Sequence, residues 1–437
     1  MNKEISQHDS GMFQRFFHSE VSGSLFLLGS TIIALIWANS PWADVYFKLS
    51  HTKIGVSWGG LNFHMSLEHW IADGLMVIFF FVVGLEIKRE LVIGQLSSLK
   101  KAILPVAAAL GGMIVPAGLY ILLNFNTDAI SGWGVPMATD IAFALGILAL
   151  FGSRAPLGLK VFLTALAIVD DLGAILVIAL FYSEKIFIGG LILAGIFLLL
   201  ILLANRMGIR QMWIYLILAT GVWAGIMASG IHATVAGVLV AMLVPVKGTI
   251  SPREFFSRTK KRLDELEDAG LTRDSMVADP LQMNALDDIY FAVEDMRPAG
   301  LSLENQLHPL QSFLILPLFA LFKAGVSLDA ESASHLTGSL SLGIILGLFV
   351  GKQIGVLLFS WIAVRSGQTI LPDGVTWGQL WGVSILAGVG FTMSIFISDL
   401  AFSSATMINE AKLAILIASL LAGVIGYFVL RKVLPAL

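Results

Sequence analysis

Long apolar runs, separated by short polar or turn-rich stretches, recur along the whole chain. About 20 apolar residues rising 1.5 Å each match the hydrocarbon core of a bilayer. The runs predict twelve membrane spans, beginning near Ser24, Ile71, Ala102, Val135, Leu159, Ile186, Met212, Ile231, Leu310, Leu342, Leu380 and Lys412. The fold class is an all-α polytopic membrane protein with one small β element. In KIGVSWGGLNFHM, Gly59-Gly60 reads as a two-residue hairpin turn, because glycine tolerates the positive φ such turns require. Ile54 then faces Met65, Val56 faces Phe63 and Trp58 faces Leu61, which puts six apolar residues on one face. A two-stranded hairpin is marginal alone. Its apolar face therefore needs a partner, either the same chain's membrane domain or a second copy.

Two runs carry signals against an unbroken helix. In GVPMATDIAFALGILALF, Pro136 is followed by Thr139-Asp140 and then Gly146. In LWGVSILAGVGFTMSIFISDL, glycines flank Val389, followed by Thr392 and Ser394. Non-helical backbone at membrane depth is tolerated only where it is buried in protein or lines a wet cavity. Interrupted spans in corresponding halves of a transporter point to its binding site. Here they are spans four and eleven.

Charge placement adds orientation. The chain is 57% hydrophobic and only 13% charged, with mean hydropathy +0.86; soluble domains run about 25% charged. With the N-terminus inside, thirteen of the 27 lysines and arginines fall in inner segments, and eight more in the loop 247–306. Only Lys48, Lys53, Lys185 and Lys412 lie outside, so both termini are expected to be cytoplasmic. The expected organisation is an N-terminal segment 1–23, spans one to eight over 24–246 with the outer hairpin 53–65, a cytoplasmic loop 247–306, and spans nine to twelve over 307–437. Within the loop, REFFSRTKKRLDELED and ALDDIYFAVEDM predict amphipathic helices. The loop reads as a solvated regulatory or spacer segment, since it has no nucleotide motif and no metal-ligand cluster. The N-terminus lacks the apolar core of a cleavable signal. The absence of cysteine excludes disulfides and thiolate chemistry. A net charge of −3 gives no reason to expect a nucleic-acid partner.

The chemistry-bearing residues sit inside the spans. Val161–Tyr182 holds Asp170 and Asp171 side by side at its middle. A carboxylate there costs at least about 2.5–3.5 kcal/mol on insertion scales. Lys352, in GLFVGKQIGVLLF, carries a similar cost and needs an anion or a carbonyl end. One aspartate of the doublet is its natural partner. Adjacent helical residues point about 100° apart, so the other is left to face a cavity. His232 in SGIHATVAG is either a pH sensor or a satisfied structural histidine. Carboxylates, a threonine and freed backbone carbonyls are hard oxygen ligands for a small hard cation. A carboxyl takes either a proton or a cation, so the two compete for one site. Alternate exposure of that site would exchange them.

Five motifs, VGLEIKREL (Val83–Leu91), ATDIAFALG (Ala138–Gly146), AIVDDLGAI (Ala167–Ile175), GIHATVAGV (Gly230–Val238) and GVGFTMSIFI (Gly388–Ile397), together resemble the NhaA-type sodium/proton antiporters. The resemblance covers the chain apart from the long loop. It implies inverted repeats with spans four and eleven broken and crossing, no cofactor, and exchange of inward protons for outward sodium or lithium, two for one. It implies Asp171 as main cation ligand, helped by Asp170, with Thr139 close by. Asp140 would balance helix N-termini, and Lys352 would offset helix C-termini and pair with Asp170. Glu86 and Glu90 match an inner-face cluster associated with pH sensing. The resemblance also implies a bacterial inner-membrane homodimer joined through the outer hairpin.

One departure stands out. In PLFALFKAGVSL (Pro317–Leu328), Lys323 replaces an asparagine of the family pattern. Toward the outer end of span nine it would snorkel to the interface, or else face the cavity and add a charge there. Two rival functions remain. An intramembrane aspartyl protease also needs two aspartates at depth, but its Gly-x-Gly-Asp motif is absent. A sodium-coupled organic anion symporter could use Lys352 for the substrate carboxylate.

Overall fold

The computed structural model describes residues 20–58, 61–183, 186–209, 211–248, 250–268, 280–328 and 336–435. The Gly59-Gly60 turn, most of the N-terminal segment, Lys185 and Arg210 lie outside the described residues. The described chain is mostly helical. From the N-terminus run α1 (Glu20–Ala38), α2 (Ala43–Ser50), strands β1 (Lys53–Trp58) and β2 (Leu61–Ser66), and α3 (Leu67–Val92). Next come α4 (Leu99–Asn124), a 3-10 segment Asp128–Met137, α5 (Ile141–Ala149) and α6 (Leu157–Phe181). They are followed by α7 (Ile188–Arg206), α8 (Met212–Ala228) and α9 (Thr234–Leu243). Beyond these lie α10 (Pro252–Asp268), α11 (Pro280–Met296), α12 (299–323), α13 (Ser339–Arg365), α14 (Trp377–Leu386), α15 (Phe391–Ala401) and α16 (Ala405–Val433).

Eight of these helical segments are long and apolar enough to cross a membrane, and α14 with α15, bent by 47° at their break, adds a ninth. Helices of this kind are apolar all round, so large side chains such as Leu122, Leu180 and Ile36 stand exposed on the outer belt, where lipid would cover them. The hairpin pairs antiparallel in the expected register, with Ile54 opposite Met65, Val56 opposite Phe63 and Trp58 opposite Leu61. Trp70 anchors it by donating from Nε1 to the Ile54 carbonyl at 2.9 Å.

Within the segment after α9, two described helices form where the amphipathic pattern predicts them. Its helices α10 and α11 pack on each other through Arg262–Asp288 (2.5 Å) and Arg258–Asp295 (3.8 Å). Helix begins again at Ala299 and runs without a turn through 323, so α12 starts well before Leu310. Likewise α16 begins at Ala405, placing Lys412 two turns inside the helix. Apolar counting misplaced both starts because polar residues open each helix.

The two weak points are real interruptions. The chain is 3-10 up to Met137 and extended over 138–140, and becomes α-helical at Ile141. Gly146 does not break it; it lies within α5. The second interruption covers 387–390, between α14 and α15. The two adjoin, for the Asp140 amide donates to the Val389 carbonyl at 2.7 Å. Against this pair stand α4 and α13, packed closely where Gly111 and Gly355 leave no room for a Cβ on either. That contact carries Lys352, one turn before Gly355, toward the interruptions.

Candidate ion-binding site

Unwound backbone leaves helix ends facing the interior, and each end needs an opposite charge. Asp140 serves two N-termini at once. Its Oδ1 accepts from the Phe143 amide at 3.1 Å, capping α5. Its Oδ2 accepts from the Thr392 amide at 3.1 Å and from Thr392 Oγ1 at 2.5 Å, capping the first turn of α15. The exposed carbonyl ends are met by donors instead. Lys352 Nζ donates to the Met137 carbonyl at the end of the 3-10 segment. Thr139 Oγ1 lies 2.9 Å from the Ala387 carbonyl just past α14 and 2.7 Å from Asp170 Oδ2. Its single proton goes to one or the other.

Lys352 also donates to Asp170 Oδ2 at 2.6 Å, both side chains being wholly buried. The same oxygen faces Thr139, while Asp170 Oδ1 is buried with no protein partner. Asp171, one residue on, meets no protein donor or cation among the described residues, and the residue is 2% exposed. The doublet is thus asymmetric: one carboxylate is neutralised by a lysine, and its neighbour is left for something else. A carboxylate that no protein group satisfies at this depth calls for a proton or a cation. Among the described residues no cluster of three or more His, Asp or Glu could hold a resident metal. The polar atoms around the doublet that could meet a cation are oxygens, from Asp170, Asp171, Thr139 and the Ala387 carbonyl.

Asp140, Thr139, Asp170, Asp171 and Lys352 are therefore brought together. Glu86, Glu90 and His232 are not part of that constellation. Glu90 lies at the far end of α3, where its Oε2 accepts from the Gln95 amide at 2.8 Å. Arg89 there bonds Glu304 at 2.5 Å and reaches Glu90 at 3.6 Å. Glu86 is half-buried in the same helix, one turn before Glu90 on the side toward the membrane interior. His232 sits elsewhere, 3.8 Å from Asp73 and edge-on to Phe396.

Sequence reading missed Glu304, which it left at the edge of the long loop. The unbroken helical pattern from Ala299 into Leu316 was the available signal. It missed Thr392 as a partner of Asp140 for want of any local cue. It also misjudged Lys323. That side chain neither snorkels nor joins the doublet: it is 6% exposed, 2.5 Å from Glu68 and 2.8 Å from Asp399. Two carboxylates nearby make burial the better option.

The double cap gives a first prediction. Asp140→Ala removes the acceptor from both α5 and α15, each cap being worth about 0.5–2 kcal/mol. Thermal unfolding of the purified protein should fall by several degrees, with Asp140→Asn intermediate because its amide oxygen still accepts. Equal stability of all three would remove Asp140 from the capping role.

Comparison with known proteins decides the family. The model of the family described as Na+/H+ antiporter 1 matches residues 14–430. The chain belongs to the Na+/H+ antiporter 1 family. Among its relatives, a Na(+)/H(+) antiporter NhaA of Oleidesulfovibrio alaskensis is 47% identical over 422 residues, covering 97% of this chain and 94% of the relative. A Na(+)/H(+) antiporter NhaA 2 of Syntrophotalea carbinolica is 44% identical, covering 96% of each chain. A Na(+)/H(+) antiporter NhaA 1 of Clostridium beijerinckii is 44% identical over 427 residues, or 98% of this chain and 96% of the relative. Membership of the Na+/H+ antiporter 1 family thus extends across the interrupted segments, the doublet and Lys352 alike.

Proposed function

We propose that this protein is a secondary antiporter exporting sodium, or lithium, in exchange for protons. The observation that carries the reading is the asymmetric doublet: Asp170 is paired with Lys352, while Asp171, equally buried, has no ion pair of its own among the described residues. Relatives named as antiporters over nearly the full chain support exchange and disfavour both the protease and the organic anion symporter. The protein is a transporter, not an enzyme.

Asp171 holds the cation, with Asp170 and Thr139 completing its oxygen shell, and protons take the same carboxylates when the cation leaves. Binding of one excludes the other, so cation release to one side and proton release to the other follow from one site exposed alternately. Because two such neighbours titrate as a pair, the protons belong to the doublet rather than to one residue. Exchange of two protons for one sodium moves net charge, making transport electrogenic. Glu86 and Glu90, with Glu304 and Arg89, tune its pH dependence from the inner end.

The two shorter apolar helices α8 and α9 and the helix α12, added to the nine, support a reading as twelve spans; in that reading spans four and eleven are the broken, crossing pair of two inverted repeats. The distribution of positive residues supports a reading with both termini and the 247–306 segment in the cytoplasm of a bacterial cell and the protein in its inner membrane. The outer hairpin joins two copies in a homodimer. Everted membrane vesicles carrying a pH dye test the function: sodium or lithium should dissipate an imposed proton gradient. A gradient indifferent to both cations at every pH from neutral to mildly alkaline would refute antiport.

A further inference from the structure

The ion cluster around Lys323 lies outside the doublet and outside the Glu90–Glu304 cluster. It sits at the hairpin end of the bundle, where α3 begins and α12 and α15 finish. Four charges alternate through it. Glu68 lies 2.5 Å from Lys323, Lys323 lies 2.8 Å from Asp399, and Asp399 lies 3.4 Å from Lys412. Both lysines are 6% exposed.

These charges fall on two sides of a seam. The end of α12 packs mainly along α1, and α15 mainly along the 3-10 segment and α16, while α12 and α15 touch each other only lightly. Glu68–Lys323 therefore belongs to one side and Asp399–Lys412 to the other. Among the ion pairs of the described residues, Lys323–Asp399 is the one that joins the two sides. Next to it the seam is closed by Phe396, whose ring meets Phe80 at 5.6 Å and Phe319 at 6.3 Å. Separating a buried ion pair is normally prohibitive, because each charge is left alone in low dielectric. Here each side keeps its own counterion when the crossing pair parts, so the seam can open without stranding a charge.

We propose that Lys323–Asp399 is a releasable latch: it holds the hairpin end of the ion pathway shut and parts each time that end opens to deliver the cation. This rests on the antiport reading, since only a carrier has to open that end in turn. The latch joins the far end of α15 to α12, and the near end of α15 is the turn that Asp140 caps. Opening at the latch therefore tilts the element that borders the cation site.

The natural chain has no cysteine, so a single Ser398→Cys reports on the seam. Ser398 is fully buried beside Asp399, and the exchange is nearly isosteric. A membrane-impermeant maleimide applied to the hairpin side of right-side-out vesicles should label this parent slowly. Adding Asp399→Asn removes the crossing pair and should speed labelling on the order of tenfold, the population shift expected from losing one favourable charge contact. Asp399→Glu keeps the charge and should label as the parent does. Glu68→Gln should act in the opposite direction, slowing labelling, because Lys323 then has Asp399 as its only counterion. Opposite signs from two carboxylates of one cluster are not expected of a static anchor. Unchanged labelling in both variants, or acceleration in both, would overturn the latch; Glu68→Gln, at the cluster's more accessible rim, keeps the test valid if Asp399→Asn misfolds. Sodium/proton exchange is assayed in parallel. Its absence from the parent, with labelling still responding in opposite directions, would overturn the antiport reading while leaving the latch supported.

Discussion

Asp171→Asn is expected to abolish sodium- and lithium-driven dissipation of a proton gradient in everted vesicles, at every pH tested. The physical reason is that the amide can neither release a proton nor hold a cation by charge. Asp171 has no protein partner among the described residues, so its replacement leaves the surrounding hydrogen bonds intact. Stability should therefore change little, within about 0.5–1 kcal/mol, while transport disappears. That separation is the informative part. An Asp171→Asn protein that still exchanges sodium for protons would move the cation site elsewhere. One that fails to fold would make Asp171 a structural residue.

Lys352→Met should act in the reverse manner, with a large loss of stability accompanying the loss of function. Removing one partner of a buried ion pair strands the other charge and costs about 3–5 kcal/mol. Here Asp170 would be stranded, and the Met137 carbonyl would lose its donor as well. The decisive comparison is the double variant Asp170→Asn/Lys352→Met. With no charge left to strand, it should recover much of the lost stability, and a cycle of the four proteins measured by thermal unfolding would give a strongly favourable coupling. Additive losses in that cycle would mean the 2.6 Å contact contributes little net energy. Transport should not recover in the double variant, since Asp170 also belongs to the proposed cation shell.

Much of the molecule was legible in its sequence because membrane constraints are local. Apolar length sets the spans, and proline and glycine beside polar residues marked both interruptions before any tertiary contact was known. The hairpin register followed from alternation around a turn. The helices α10 and α11 followed from periodicity. The aspartate doublet announced itself by expense, since two aspartates side by side at bilayer depth have few explanations.

Other features needed the fold. Asp170 and Asp171 are equivalent to a sequence reader: which of them meets Lys352, 182 residues away, depends on the rotation of α6 about its own axis. Thr392 and Asp140 lie 252 residues apart and meet only because the two interruptions adjoin. Lys323 read as a residue bound either for the interface or for the cavity. Its burial depends on Glu68, 255 residues distant, and on Asp399 across a seam that no local pattern records. Hydrophobic length and backbone breaks are set by neighbours in the chain, so sequence determined where polar chemistry enters the membrane. The partner that neutralises each buried charge is chosen by helix rotation and packing, and those are properties of the whole bundle.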